Sequence, residues 1–266
     1  MNQNTQELAR RMRALEEVPK TRLDENVPVI IRIDGRSFKN FTKPFERPYD
    51  EVFRRAMRNT MLAMCSHIQN CCLGYNFSDE ISLLLIRRQG ASAWFDNELE
   101  KIVSSTASYA TMTFNQKFAQ CVSCSPDSQR YADSLWKACF DARAFNIPED
   151  SLDDYFLWRQ TDCIRNSVAA AVLALPGYDA NTLQMKKLPE LLQILQAAGT
   201  PWDNYFVQDR YGSFAVRERN EMLHYANGHM QQFTRTKWVI PTKTPQLRFE
   251  KTPFVATYLE RYFEAK

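Results

Sequence analysis

The sequence predicts an α+β fold with a β-α-β-β-α-β core, additional helices and a C-terminal appendage. Residues 29–38 form a β-branched and apolar run that leads into an acidic turn, and residues 74–86 form a second such run around another acidic turn. Between these runs, residues 50–70 place apolar side chains at helical spacing: Phe53, Met57, Met61, Met64 and Ile68. These segments predict the β-α-β-β part of the core.

The next two elements complete this core. Residues 95–120 are typical of a helix, with expected buried members at Ile102, Val103, Tyr109, Met112 and Phe118. Residues 139–147 alternate apolar with polar side chains, as a strand does. The resulting order of strands and helices is ferredoxin-like. A long helix is expected from Glu149 to Leu175, with a cap formed by Ser151 and Asp154.

The remaining segments flank the core. Residues 7–18 predict an amphipathic helix that covers the sheet with Leu8, Met12 and Leu15. A change in composition near residue 177 suggests a core at 1–176 and an appendage at 177–266, which packs on the core without forming an independent domain. Within the appendage we expect a leucine-rich helix at 187–198, an aromatic-rich loop at 202–211 and a late strand at 212–216.

Composition favours a packed globule outside the membrane. Hydrophobic residues make up 44% and aromatic residues 12% of the 266 residues, and no run of about 18 apolar residues is present. The first residues lack the apolar segment of a signal peptide, so we expect a cytoplasmic protein. Seven cysteines, an odd number, favour reduced thiols over disulfides, and Cys121 and Cys124 form a C-x-x-C pair with no second pair. The net charge of +3 is too small to indicate nucleic-acid binding.

The two acidic turns predict a metal site. Strands joined by a helical crossover run parallel, so Asp34 and the turn at 78–80 should meet at one sheet edge. Carboxylates about 4 Å apart repel by about 4 kcal/mol at an effective dielectric of about 20, and a cation between them removes this repulsion. Mg²⁺ is the natural candidate, because it combines one or two carboxylates with water and phosphate oxygens. Backbone N–H groups at 35–39 are suited to phosphate, although an ordinary Asp-Gly turn is the alternative.

Three segments carry a resemblance to a known family. Residues 32–38 (RIDGRSF), 78–80 (SDE) and 155–162 (YFLWRQTD) resemble three motifs of the tRNA-histidine guanylyltransferase superfamily, in the same order and at similar distances. This resemblance implies a polymerase- or cyclase-like palm that adds nucleotides to the 5′ end of tRNA in the 3′-to-5′ direction. It also implies a homotetramer.

The resemblance assigns roles to individual residues. It implies two Mg²⁺ ions bound by the carboxylates of Asp34 and Asp79 and by the backbone carbonyl of Gly35, with Glu80 as a third catalytic acid in a supporting position. GTP and ATP are the implied substrates. The implied nucleotide-binding residues are Gly35, Arg36, Ser37, Phe38, Lys39, Arg47 and Ser78. Arg47 stands where the family usually has lysine, and the two side chains present different donor geometries.

Two further segments are candidates for tRNA binding. Arg159, Asp162 and Asn166 share one face of the long helix, with Arg165 beside them, although a solvated face is the alternative. Residues 222–249 contain no acidic residue and combine cations with aromatic side chains, which suits contact with an RNA backbone. The cations in this segment are Arg235, Lys237, Lys243 and Arg248. A solvated or oligomer-facing surface is the alternative.

The leading interpretation is a template-dependent 3′-to-5′ nucleotidyltransferase that repairs truncated tRNA. Residues 164–167 (IRNS) replace the His-Ile-Asn-Asn of the eukaryotic enzymes, which weighs against strict tRNA-histidine guanylylation, the first alternative. A palm-type nucleotide cyclase is the second alternative, but it leaves the helix motif at 155–162 unexplained. A non-catalytic RNA-binding module is the third alternative, and it needs no carboxylate pair. The fold alone does not separate these functions.

Overall fold

The computed structural model describes residues 3–16, 20–88, 90–184, 186–226, 229–248 and 254–264. Its strands are β1 (Val29–Gly35), β2 (Cys71–Phe77), β3 (Glu80–Leu85), β4 (Phe140–Asn146), β5 (Ser213–Ala226) and β6 (His229–Val239). Its helices are α1 (Gln3–Glu16), α2 (Phe38–Phe41), α3 (Glu51–His67), α4 (Leu99–Ser123), α5 (Leu152–Leu173), α6 (Ala180–Gln184), α7 (Leu188–Ala197), α8 (Val207–Tyr211) and α9 (Phe254–Glu264). The chain is therefore a mixed α+β protein, as predicted.

One sheet has the strand order β4-β1-β3-β2-β5-β6, and each neighbouring pair is antiparallel. Because β1 and β2 both pair with β3, they run parallel to each other, as expected for strands joined by α3. The predicted late strand is longer than expected. Its first residues pair with β2, and the strand then continues as β5 in a hairpin with β6.

The alternation of side chains along β1 divides the hydrophobic core into two layers. Ile31 and Ile33 face α3 and α4, where they join Met57 and Phe114, all with no exposed surface. Ile30 points to the opposite face, where the core contains Leu73, Tyr75, Phe156, Phe214 and Val255. Since successive side chains of a strand point to opposite faces, the continuous apolar run of β1 fits a strand buried on both sides.

Asp50 begins α3 in the way that the sequence suggests. Its side chain accepts the backbone N–H of Phe53 at 2.8 Å, which caps the helix. The other carboxylate oxygen accepts the backbone N–H of Glu46 at 3.0 Å and the hydroxyl of Tyr131 at 2.9 Å. One buried carboxylate therefore fixes both the helix start and the loop before it.

Several local predictions are wrong. Ser151 makes no capping bond, because its hydroxyl donates to the neighbouring Asp150. Met112 is 49% exposed, since it faces away from the sheet. Helix α1 leaves its apolar stripe in solvent instead of covering the sheet: Leu8, Met12 and Leu15 are 50%, 40% and 70% exposed. The expected loop at 202–211 contains a short 3₁₀ helix and α8.

The leucine-rich helix is found as α7, and Leu191 and Leu195 are buried together with Val168 and Val172 of α5. Among the described helices, none combines the length and apolar character that a membrane span requires.

Gln160 of α5 connects the residues after 177 to the core. Its side-chain amide donates to the carbonyls of Tyr211 at 3.0 Å and Pro245 at 2.9 Å, and its oxygen accepts the N–H of Leu247 at 2.7 Å. Gln160 is 1% exposed, so water does not replace these bonds. Together with the pairing of β2 and β5, they attach the chain ends of the β5–β6 hairpin to the core. The division of the chain near residue 177 remains a prediction.

The replacement Gln160→Leu should therefore destabilise the protein. It removes three hydrogen bonds. The carbonyl of Tyr211 keeps the hydroxyl of Tyr75 as a donor at 3.0 Å, but the backbone groups of Pro245 and Leu247 lose the partner that Gln160 supplies, so we expect a loss of about 2 to 4 kcal/mol in the free energy of unfolding. Urea denaturation measures this loss. Gln196→Leu is the matched control, because Gln196 is exposed on α7 and should change stability by less than about 0.5 kcal/mol. Equal stability of the two variants would contradict the assigned role of Gln160.

Candidate active site

The structure brings Asp34 and the acidic turn, defined as Ser78–Asp79, to the same edge of the sheet. Asp34 on β1 lies opposite Glu80, the first residue of β3, and the acidic turn immediately precedes Glu80. On its other side Asp34 lies opposite Asp141 of β4. Directly opposed residues share one face of a sheet, so acidic residues stand side by side on three strands. Asp141 was not among the predicted site residues, since the alternation at 139–147 indicates strand β4 without the register that pairs it with β1.

The acidic turn is a two-residue hairpin with a constrained backbone. Ser78 has a φ of 48°, in the left-handed region that costs a residue other than glycine about 1 kcal/mol. The side-chain amide of Asn76 donates to the carbonyl of Glu80 at 2.9 Å and to that of Ser78 at 3.4 Å, which holds the turn closed. The Ser78 hydroxyl donates to Asp79 at 2.9 Å. Asn76 was not predicted as a site residue either, although a lone amide in an apolar strand is a usable signal.

Glu80 is buried between two arginines. Its Oε2 accepts a hydrogen bond from Arg159 at 3.0 Å, and the Nε of Arg32 lies 4.0 Å from the same oxygen. Arg159 also pairs with Asp162 and stacks on the Trp158 ring at 3.5 Å. The second oxygen of Glu80, Oε1, is buried and has no hydrogen-bond partner among the described residues.

This arrangement corrects the expected role of Arg159. Arg159 is 4% exposed and its guanidinium is occupied by Glu80 and Asp162, so it offers no cation to an RNA surface. Its face of α5 points toward the sheet, because the aromatic residues of this helix pack there. Arg165 and Asn166 are exposed, whereas Asp162 is partly covered by its pair with Arg159.

Packing against Phe38 requires a glycine in the turn after β1. A Cβ atom on Gly35 would lie 2.3 Å from the ring of Phe38, so a larger residue would displace that ring. Phe38 is 4% exposed and contacts Phe41, Phe114 and Phe140, which makes its side chain part of the core. Arg36, Ser37 and Lys39 are exposed around this turn. The glycine at position 35 is thus explained by packing as well as by the expected close approach of a phosphate to its backbone.

A cavity of about 430 Å³ opens beside the acidic turn, between α3 and α5. Five of the predicted nucleotide-binding or catalytic residues line it, together with Asn166: Phe38, Lys39, Arg47, Ser78 and Asp79. Asp34, Gly35, Arg36, Ser37 and Glu80 are not among its lining residues. Further polar lining comes from residues that the sequence did not indicate, Asn76, Arg54, Arg58 and Asp209. The volume suits a ligand of the size of a nucleotide.

Burial and mutual repulsion disfavour the ionised form of the carboxylates at this edge. Burial raises the pKa of Asp79, and the negative charge of Asp34 raises it further. Burial also raises the pKa of Glu80, while Arg159 and Arg32 act in the opposite direction. A divalent cation fits this set of oxygen donors, because it would neutralise the repulsion and give the orphaned Oε1 of Glu80 a partner. Within the described ranges, no three His, Cys, Asp or Glu residues are grouped to hold an ion by themselves, so water or substrate must complete the coordination.

Fold and site together define an α+β protein with an acidic, nucleotide-sized site at a sheet edge. Residues 9–148 match the Thg1 family model, described as tRNAHis guanylyltransferase, and the chain belongs to this family.

The comparisons also identify individual relatives. The chain is 31% identical over 142 residues to tRNA(His) guanylyltransferase 2 of Arabidopsis thaliana, a match that covers 52% of this chain and 25% of that protein. Among solved structures, a bacterial tRNA(His) guanylyltransferase (Thg1)-like protein in complex with ATP has a TM-score of 0.75 at 27% identity, covering 97% of both chains. A bacterial Thg1-like protein in complex with GTP has a TM-score of 0.67 at 27% identity, covering 96% of both.

The raised pKa of Asp79 predicts a pH-dependent effect of Asp79→Asn. Because the folded protein holds this proton to a higher pH than the unfolded chain, the stability that Asp79 contributes is present below its unfolded pKa of about 4 and is lost as the pH rises through the folded pKa. Without Mg²⁺, the amide variant should therefore melt a few degrees above the wild type near neutral pH and at the same temperature near pH 4. Differential scanning calorimetry at both pH values measures this difference. Asp133→Asn, at an exposed position of a short 3₁₀ helix, is the control; a neutral-pH gain of the same size there would refute the explanation.

Proposed function

We propose that the protein is a template-dependent 3′-to-5′ nucleotidyltransferase that adds nucleotides to the 5′ end of truncated tRNA. The observation that carries this proposal is the meeting of Asp34 with the acidic turn beside a nucleotide-sized cavity, in a chain of the Thg1 family. The polymerase-like palm is part of the proposal, and the β1-α3-β2-β3-α4-β4 order of the core supports it. The bacterial relatives bound to ATP and GTP support these nucleotides as substrates.

The residues at the sheet edge would hold two Mg²⁺ ions. Asp34 and Asp79 would supply carboxylates and Gly35 a backbone carbonyl, and Glu80, whose Oε1 has no hydrogen-bond partner among the described residues, would support them as a further acid. When bound, the ions activate the attacking hydroxyl and neutralise charge on the triphosphate and the leaving pyrophosphate. The 3′ hydroxyl of the incoming nucleotide would attack the 5′-terminal phosphorus of the tRNA. It would displace a nucleoside monophosphate where that phosphate has been activated by nucleotidylation, or pyrophosphate where the end is already a triphosphate.

Residues of this chain would position the reactants. Lys39 and Arg47 line the cavity as exposed cations and are suited to the triphosphate, and Ser78 lies beside Asp79 with its hydroxyl close to the same space. Arg36 and Ser37 lie at the turn after β1, outside the lining of the cavity, and would reach phosphates that project from it. Arg159 acts through Glu80 and does not touch substrate. Its ion pair opposes the effect of burial on the pKa of Glu80 and holds that side chain beside Asp34.

Repair of several tRNAs is the version of this activity that we favour over strict tRNA-histidine guanylylation. The residue that carries this preference is Ile164, which takes the place of the histidine in the eukaryotic motif. Next to it, Arg165 and Asn166 are exposed and remain candidate tRNA contacts.

Incubation of the full chain with 5′-truncated tRNAs of several identities, Mg²⁺ and labelled GTP or ATP tests the proposed function. We expect extended tRNA of each identity, and near-background addition by Asp34→Ala and Asp79→Ala, because each variant lacks a metal ligand. Asp133→Ala serves as the control and should act like the wild type.

Three other outcomes of this experiment would contradict the proposal in different ways. A preference for tRNA-histidine of a hundredfold or more, without repair of the others, would indicate the guanylyltransferase proper. A cyclic nucleotide would indicate a cyclase. Binding of tRNA without any product would indicate an RNA-binding module.

The hairpin of β5 and β6 is the proposed tRNA-binding surface, together with the segment that follows it. Its four predicted cations, Arg235, Lys237, Lys243 and Arg248, are all exposed. The strand register changes one expectation, because Lys237 lies opposite Glu218 of β5. Residues 222–249 contain no acidic residue in the sequence, but Glu218 of the paired strand lies next to them. This neighbour lowers the net positive charge of the surface. The homotetramer implied by the resemblance remains a prediction that light scattering can test.

Replacement of these four cations by glutamine should weaken tRNA binding and reduce its salt dependence. Each phosphate contact contributes a slope of about −0.7 to −0.9 in log K against log salt, so up to four contacts would be lost. Turnover at saturating tRNA should stay near the wild-type value, because these residues lie outside the cavity. Four exposed cations near the N-terminus provide the matched control: Arg10, Arg11, Arg13 and Lys20. An unchanged slope in the hairpin variant would show that this surface does not contact phosphate.

A further inference from the structure

Trp136 is an exposed aromatic residue in a strained backbone conformation. It is 65% exposed, and among the described residues its ring has no aromatic or cationic partner and its indole N–H makes no hydrogen bond. The other exposed tryptophan, Trp158, stacks on the guanidinium of Arg159. Trp136 also has a φ of 63°, in the left-handed region that bulky side chains rarely adopt. Packing within the chain explains neither its exposure nor its strain, and strained residues cluster at ligand sites.

The loop that carries Trp136, residues 134–139, lies at the sheet edge of the candidate site. Strand β4 runs antiparallel to β1, so the loop before β4 emerges beside the turn after β1. The N–H of Arg36 donates to the carbonyl of Cys139 at 2.8 Å, which joins the loop to that turn. Neighbouring strands are about 4.8 Å apart, so the end of the loop is about one strand spacing from the strand of Asp34. The loop therefore borders the proposed metal site on the side of β4, outside the lining of the cavity.

Buried groups hold this loop on both sides of Trp136. The hydroxyl of Ser134 donates to the carbonyl of Phe41 at 3.1 Å. On the other side, the side-chain amide of Asn115 donates to the carbonyl of Ala138 at 2.9 Å and accepts its N–H at 3.3 Å. Ser134, Asn115 and Ala138 are all buried. Because the loop is fixed at both ends, its backbone loses little conformational freedom when a ligand covers the tryptophan.

The surroundings of Trp136 favour a nucleic acid over a protein as its partner. Residues 134–139 and 36–43 meet at this edge and contain no acidic residue. Their cations are all exposed: Arg36, Lys39, Lys43 and Lys137. A protein interface would need further exposed apolar side chains, but Trp136 is the only large exposed one in these two ranges. An isolated aromatic ring among cations suits unpaired nucleotides, since the ring stacks on a base and the cations contact phosphates.

We propose that Trp136 stacks on the unpaired base of a 5′-truncated tRNA that lies opposite the missing nucleotide. This proposal rests on the proposed function, since loss of a 5′ nucleotide leaves its partner in the 3′ strand unpaired beside the site of addition. Stacking does not distinguish the four bases, because each has a π face. Pairing with the incoming nucleotide uses the edge of the base and stacking uses its face, so one base can do both. The contact is thus compatible with template-dependent addition to tRNAs of several identities.

Anisotropy titration of the full chain with a labelled tRNA that lacks its first nucleotide tests this assignment. A second tRNA is abasic at the position opposite the missing nucleotide. The wild type should bind the abasic tRNA about fivefold to a hundredfold more weakly than the intact one. Trp136→Ala should weaken the intact tRNA by a similar factor and show no further loss with the abasic one, whereas Trp136→Phe, which keeps a stacking ring, should retain most of the affinity.

Phe95→Ala is the matched control for this titration. Phe95 is also an exposed aromatic residue with a left-handed φ, 41% exposed at 50°. It follows β3, whose end lies at the sheet edge opposite the candidate site. Its variant should bind both tRNAs like the wild type.

Thermal melting of Trp136→Gly separates this contact from a structural role. Glycine adopts a positive φ without strain, so this variant should melt at or above the wild-type temperature and yet bind the intact tRNA as weakly as Trp136→Ala. If the ring supported the fold instead, both variants would melt below the wild type and would still distinguish the intact from the abasic tRNA. That result would overturn the proposal.

Three further results would also overturn it. Equal weakening of both tRNAs by Trp136→Ala would show that Trp136 does not contact this base, and unchanged binding of both would show that it contacts no tRNA. A changed molar mass of Trp136→Ala in light scattering, with base-dependent binding intact, would indicate a contact between copies of the chain. Failure of tRNA extension by the wild type, with base-dependent binding through Trp136 intact, would contradict the proposed function and leave the role of Trp136 standing.

Discussion

The buried ion pair between Glu80 and Arg159 joins the elements from which the candidate site is built. Glu80 begins β3 next to the acidic turn, Arg32 approaches it from β1, and Arg159 reaches it from α5. Removing two charges from water carries a large desolvation cost, so such a pair is weak evidence for stability in itself. Its effect here is on geometry. Arg159 holds Glu80 beside Asp34 and attaches α5, whose residues Asn166 and Ser167 line the cavity, to the sheet edge.

Residues 158–160 of α5 contact two neighbouring parts of the structure, the sheet edge at Glu80 and the backbone beside the β5–β6 hairpin. Trp158 stacks on the guanidinium of Arg159, Arg159 binds Glu80, and Gln160 binds the backbone on both sides of the β5–β6 hairpin. Of the residues on α5 that the sequence suggested as a tRNA-binding face, Arg159 is therefore part of a structural junction, whereas Arg165 and Asn166 are exposed and stay candidates. Consecutive helix residues point about 100° apart, which is why adjacent positions can reach the site and the C-terminal segment at the same time.

Periodicity predicted the elements of the core well, because burial of one face leaves a direct trace in the sequence. Strands β1 and β4, helix α3 with its Asp50 cap, and the turn that follows β2 lie where the pattern indicated. Periodicity does not reveal what covers an apolar face, and so α1 was wrongly placed on the sheet although its stripe is real. Similarly, helical spacing predicts the face of a helix on which a charged residue lies, but not the residue that it contacts. The burial of Arg159, the side-by-side placement of Asp141 and Asp34, and the pairing of Lys237 with Glu218 all depend on register and packing across distant segments.

The cavity and the sheet edge beside it combine charges that are unfavourable without a ligand. At the sheet edge, Asp34 and a buried Asp79 repel each other, and Oε1 of Glu80 lacks a donor among the described residues. In the cavity, Lys39 and Arg47 present exposed cations. The protein therefore carries an excess of negative charge where the proposed metal ions would bind and positive charge where the proposed triphosphate would lie. A nucleoside triphosphate accompanied by divalent cations has the complementary charges at both places. Because a ligand that satisfies only one of them leaves the other uncompensated, binding of the phosphates is coupled to binding of the metal.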